Sequence, residues 1–91
     1  MKKTTKSLRL YHLESCPFCL RVRYAARSLG VELELVDIRR TEEARSMLLA
    51  RRGRTTVPVL GIPTDHGEVL LPESNDIITY LQNHAASTHA A

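Results

Sequence analysis

The chain of 91 residues has no tryptophan, one phenylalanine and two cysteines. Each scarcity excludes something. With so few aromatics to stack on bases, no basic block of about five or six residues and no groove-reading motif, no nucleic-acid partner is expected, although ten of the 13 basic residues are arginine and the net charge is +3. A long apolar run is missing too. The basic start Met1-Lys2-Lys3-Thr4-Thr5-Lys6 leads into a short apolar stretch that carries Arg9 and His12, so neither a signal-peptide core nor a membrane association is expected. The expected location is the cytoplasm.

What is present suits an ordinary globular protein: 43% hydrophobic and 25% charged residues, too apolar for disorder. The length fits one domain over residues 1–91, with a core at about 7–84, flexible termini and a frayed tail from Ala85 to Ala91. A monomer is expected.

Ser7 to Leu13 reads as a strand apolar on both faces. Pro17 then suits the first position of a helix capped by Cys16, with Phe18, Val22, Ala25, Ala26 and Leu29 as its apolar stripe and Gly30 as its stop. Val31 to Ile38 alternates and predicts a second strand, joined by a right-handed crossover. Thr41 is the predicted cap of a second helix that ends at Gly53, with Ala44, Met47 and Leu48 inward. Val57 to Ile62 and Glu68 to Leu71 flank the turn-forming run Pro63-Thr64-Asp65-His66-Gly67 and predict a hairpin. Ser74 is the predicted cap of a last helix with Ile77, Ile78 and Leu81 buried. The order is βαβαββα, an α/β fold.

Two cysteines three apart in a reducing compartment are redox-active or metal-binding rather than a permanent staple. Zinc normally takes four ligands, and there is no second Cys-x-x-Cys; His12 could add a third, but His66, His84 and His89 follow no finger spacing, so no metal is expected. Disulfide exchange needs an attacking thiolate and a second thiol that resolves the mixed disulfide. At a helix cap, the sulfur of Cys16 meets the free N–H groups of Phe18 and Cys19 and the positive end of the helix dipole, which favour the thiolate. Cys19, one turn along and beneath the loop, is kept protonated by desolvation and is the expected resolving thiol.

Three features together, Cys16-Pro17-Phe18-Cys19 after a strand, Gly53-Arg54-Thr55-Thr56-Val57-Pro58 before the third strand, and the element order, resemble the glutaredoxins of the thioredoxin superfamily over about residues 7–84. The resemblance implies a thioredoxin-like fold, a four-stranded mixed sheet flanked by three helices. It also implies a cis peptide before Pro58, a Val57 backbone free to pair with an extended substrate, and glutathione as co-substrate, with no tightly bound cofactor. The tripeptide's glycyl carboxylate would meet Arg54, with Arg52 or Arg21 as further candidates, and its γ-glutamyl carboxylate the N–H groups and hydroxyl at Ser74 and Asn75. The implied activity is glutathione-dependent reduction of disulfide-containing or glutathionylated proteins through Cys16 and Cys19.

Two departures from the family pattern stand out. Leu13 occupies the place of a lysine that many glutaredoxins carry, and Pro72-Glu73-Ser74-Asn75 replaces a Gly-Gly pair followed by acids. That last segment, with Ile77, Tyr80 and Leu81, is similar to the N-terminal domain of glutathione transferases, whose large helical second domain would need residues beyond these 91. Two alternatives stay open. One is a glutaredoxin-like electron donor reduced by thioredoxin reductase; the other is a carrier in which two chains hold an iron–sulfur cluster through Cys16 and glutathione.

Overall fold

The computed structural model describes residues 7–89, with side chains through Ala86. Its elements are β1 (Leu8–His12), α1 (Pro17–Leu29), β2 (Leu33–Asp37), α2 (Glu42–Arg52), β3 (Val59–Thr64), β4 (Gly67–Pro72) and α3 (Ser74–His89). They give the expected βαβαββα order and one mixed sheet, β2-β1-β3-β4, with β1 and β2 parallel and the other pairs antiparallel. This is the thioredoxin-like α/β fold. The basic start at residues 1–6 and the last two residues, 90 and 91, lie outside the described residues.

Two apolar clusters follow from strand alternation, since neighbouring side chains of a strand point to opposite faces. Leu8 and Leu10 of β1 and Leu60 of β3 meet Val22 and Ala26 of α1 and Ile77 and Leu81 of α3. Tyr11 and Val59 turn the other way, onto Ala44 and Leu48 of α2. Thus α1 and α3 cover one face and α2 the other.

Several expectations are corrected. The buried stripe of α1 runs through Cys19, Val22 and Ala26, whereas Phe18, one position and so about 100° away from Cys19, is 57% exposed. Leu35, on the apolar side of the alternation in β2, is 46% exposed because β2 is an edge strand. Thr41 stands at the N-cap position of α2 but makes no side-chain cap bond. The strand ladder of β3 begins at Val59, not Val57, since Pro58 has no N–H to donate, and it runs on to Thr64. There the Thr64 hydroxyl donates to Gly67 O (2.6 Å) and accepts from His66 N (3.1 Å), ending the strand two residues later than expected and keeping Pro63 in the ladder. Ser74 is the first residue of α3 rather than its cap: Glu73, with φ 77°, accepts the first helical bond from Ile77 N (2.9 Å). The tail expected to fray from Ala85 is helical to His89, because Ile77, Leu81 and Ala85 recur every four residues and are all buried.

Behind the sheet's second face, the Tyr11 hydroxyl donates to both oxygens of the Glu68 carboxylate, at 2.8 and 3.0 Å. A Cβ on Gly61 would collide with that carboxylate and touch the Tyr11 ring. Gly61→Ala is therefore expected to break the pair and cost about 1–3 kcal/mol, read as a lower midpoint of chemical denaturation; an unchanged midpoint would show that Glu68 moves aside without loss.

Candidate functional site

The sheet register decides what meets at its working end. β1 and β3 are antiparallel with Tyr11 opposite Val59, so the residues after β1 lie beside those before β3. Val59 is also opposite Pro72, which brings the start of α3 to the same end. Three segments far apart in sequence converge there: residues 13–19, 52–58 and 72–75.

Cys16 occupies the N-cap of α1 in extended conformation (φ −80°, ψ 118°), with Pro17 as the first helical residue, as expected. Its Sγ accepts a hydrogen bond from the Cys19 amide at 3.3 Å, one of the donors that a helix start leaves free. Both cysteines are free thiols. Cys16 is partly exposed, and Cys19 is 0% exposed. Burial pushes the Cys19 thiol from 9.0 up to about 12; the Leu13 backbone works against this, and neighbouring Cys16 adds to it. The pair is chemically unequal.

The peptide bond between Val57 and Pro58 is cis. Arg54, Val57, Pro58, Ser74 and Asn75 all border one cavity of ≈ 320 Å³. Arg21, Arg52 and Arg54 give it three guanidinium groups against the single carboxylate of Glu73. Arg21, a candidate for the glycyl end, stands at the opposite end: it donates to Asn75 Oδ1 at 3.2 Å and to Ser74 Oγ at 3.5 Å. Arg52 instead donates to the Thr56 carbonyl at 3.3 Å, bracing the segment before Val57. Sequence reasoning did not mark Phe18, Thr56, Pro72 and Glu73 as part of this cavity; only the unusual Pro72-Glu73 pair carried a signal. Among the described residues, no group of three His, Cys, Asp or Glu could hold a metal ion, and His12 is a buried strand residue whose Nδ1 has no hydrogen-bond partner.

Residues 10–89 match the family model described as glutathione S-transferase, N-terminal domain. Glutaredoxin 3 of Escherichia coli strain K12 is 33% identical over 60 residues, 66% of this chain and 72% of that protein. The chain thus belongs to the glutathione transferase N-terminal domain family and to the glutaredoxins of the thioredoxin superfamily. As a glutaredoxin it is a thiol–disulfide oxidoreductase. Among solved structures, a trimeric glutathione transferase of Leishmania superposes with a TM-score of 0.74 at 33% identity, covering 89% of this chain. The chain spans only 18% of that protein's length. The maleylacetoacetate isomerase of Anaeromyxobacter dehalogenans, solved with glutathione in its active site, matches with a TM-score of 0.61 at 30% identity over 87% of this chain and 38% of its own. Among the described residues no helix is long and apolar enough to cross a membrane.

The raised Cys19 thiol has a stability consequence. From about pH 9 to about 12 the unfolded chain gives up this proton while the folded one keeps it, so the contribution of Cys19 to stability is full below that window and is lost as pH rises through it. The stability difference between wild type and Cys19→Ala should shrink across those pH values. Iodoacetamide should modify Cys16 at a pH where Cys19 is untouched, and mass spectrometry showing the reverse order would contradict the unequal pair.

Proposed function

We propose that the chain acts as one glutaredoxin-like domain that reduces glutathione mixed disulfides and protein disulfides, with Cys16 as nucleophile and Cys19 as resolving thiol. The observation that carries this reading is the convergence of Arg54, Val57, Pro58, Ser74 and Asn75 on one cavity at the Cys16 end of α1. A tripeptide with two carboxylates and a central thiol needs donors at both ends and an extended backbone partner between them. Arg54 offers a cation to the glycyl carboxylate. Val57 offers its main chain to the cysteinyl residue. The start of α3 offers backbone N–H groups and the Ser74 hydroxyl to the γ-glutamyl carboxylate, with Arg21 adding charge beside them.

In this scheme the Cys16 thiolate attacks the glutathione sulfur of a glutathionylated protein. One S–S bond forms as the other breaks, and the protein leaves as a thiolate that takes up a proton. A second glutathione then attacks the glutathione sulfur of this mixed disulfide, forming glutathione disulfide and freeing the Cys16 thiolate; alternatively Cys19 attacks Cys16 Sγ, forming the Cys16–Cys19 disulfide and releasing glutathione. For protein disulfides the Cys19 route produces the Cys16–Cys19 disulfide, which two glutathione molecules reduce. Glutathione resets the enzyme, and the partners are glutathione and oxidised proteins.

An assay coupled to glutathione reductase and NADPH tests this with a glutathione mixed disulfide as substrate. Turnover is expected in wild type and in Cys19→Ser, and none in Cys16→Ser. Arg54→Ala should raise KM for glutathione by about fivefold to tenfold, as loss of a solvent-exposed charge-assisted hydrogen bond would. Turnover supported by thioredoxin reductase and not by glutathione would overturn the choice of reductant.

A further inference from the structure

Leu20 and Tyr24 of α1 and Leu35 of β2 are large apolar side chains left exposed, Tyr24 to 63%. With Leu33 they line a groove of ≈ 480 Å³ between α1 and the outer edge of β2, which Arg23 and Arg27 also border. A contiguous exposed apolar patch marks a surface that another molecule covers. The backbone beside it is open as well. Among the described strands β2 pairs only with β1, at the edge of the sheet. Ile38 N donates to His12 O (3.1 Å), so its main-chain groups face β1. These groups alternate in direction along a strand, and Leu33, Leu35 and Asp37 therefore turn theirs outward. The other edge strand, β4, ends on Pro72, which has no N–H to give.

We propose that β2 pairs with β2 of a second copy of this chain, antiparallel about a two-fold axis at Leu35, joining two four-stranded sheets into one in place of the expected monomer. Charge order selects this occupant and this direction. Glu32 and Glu34 lie at the start of the segment and Arg39 and Arg40 just past its end, all four exposed. Antiparallel pairing of two copies lays the acidic entrance of each beside the basic exit of the other, whereas parallel pairing would lay like charge on like.

The faces fix the register. With the axis normal to the sheet, α1 of both copies lies on one side, so opposed residues must share a face. Centring on Glu34 would set two carboxylates opposite each other, and centring on Val36 would set Leu35 against Asp37. Centring on Leu35 sets that residue against its own copy as a hydrogen-bonded pair, Leu33 against Asp37 and Glu34 against Val36. The two grooves then merge into one apolar seam built from Leu20, Tyr24, Leu33 and Leu35 of each copy. The cavity bordered by Arg54, Pro58 and Ser74 lies on the β3 and β4 side of the sheet and stays open.

Sedimentation velocity of the full chain, from micromolar to millimolar concentration, should show a reversible equilibrium between monomer and dimer. Leu35→Lys puts two ammonium groups at the axis and should raise the dissociation constant by at least about tenfold. Glu32→Arg should weaken the dimer too, and adding Arg39→Glu and Arg40→Glu to it should restore the affinity. The register is read separately by Leu35→Cys in a chain that also carries Cys16→Ser and Cys19→Ser. Hydrogen-bonded antiparallel partners have Cα atoms about 5.5 Å apart, within disulfide reach. Oxidation by copper phenanthroline should link two chains at position 35, while Leu49→Cys in the same background, equally exposed but on α2, should stay single. A monomer at every concentration, a dimer indifferent to Leu35→Lys, no rescue by the charge reversal, or equal linking at positions 35 and 49 overturns the proposal.

Discussion

The site depends on β3 being paired on both flanks. Leu60 pairs with Leu10 on one side and Leu71 on the other, and all three side chains pack on the α1 and α3 face, so a slip of one residue would carry them to the opposite face. With that register held, Val59 lies opposite both Tyr11 and Pro72, and the loops after β1, before β3 and after β4 must end together. Apolar burial in the sheet thus positions a polar site whose residues share little local structure. The cavity inherits its position from strands that contribute only Pro72 to its lining.

At that end, reactivity is divided by solvent access. Cys16 is partly open, and the amide of Cys19 donates to it across the helix start; Cys19 is closed off and holds its proton. The helical offset between the two makes this possible. Three residues along an α-helix turn the chain by about 300°, which leaves the cap at the rim and swings the next cysteine onto the stripe with Val22 and Ala26. One amide both bonds the outer sulfur and belongs to the inner residue, so the geometry of the pair is fixed by the first turn alone.

The elements of the fold were legible because they rest on local signals: Pro17 after Cys16, Gly30 and Gly53 at helix ends, and alternation in the strands. Both of those glycines do adopt the left-handed conformation that ends a helix. Boundaries and faces were less legible. Leu35 lies on the apolar side of its strand's alternation, and only the place of β2 at the sheet edge exposes it. The short apolar spacing from Ile77 to Ala85 looks too weak to hold a helix end, yet packing against α1 carries α3 past it. Arg21 reads as a further candidate for the glycyl end of the ligand, not for the start of α3. Its approach to Ser74 and Asn75 is a contact between residues more than fifty positions apart, which no local pattern encodes.

Leu13 and Arg21 show how the two departures from the glutaredoxin pattern fit one arrangement. Leu13 packs its side chain with Tyr11, Ile38 and Val59 on the α2 face, so the place of a lysine near the cysteines is given over to core burial. The positive charge absent there is present across the cavity. Arg21 lies one turn of α1 beyond Pro17 and reaches the first two residues of α3, where helix N–H groups already favour an anion. An acidic residue in place of Asn75 would neutralise that guanidinium; the amide leaves its charge in force while still holding it by a hydrogen bond. Cationic character is thus absent at position 13 and present at the far end of the cavity, where Arg21 stands against the start of α3.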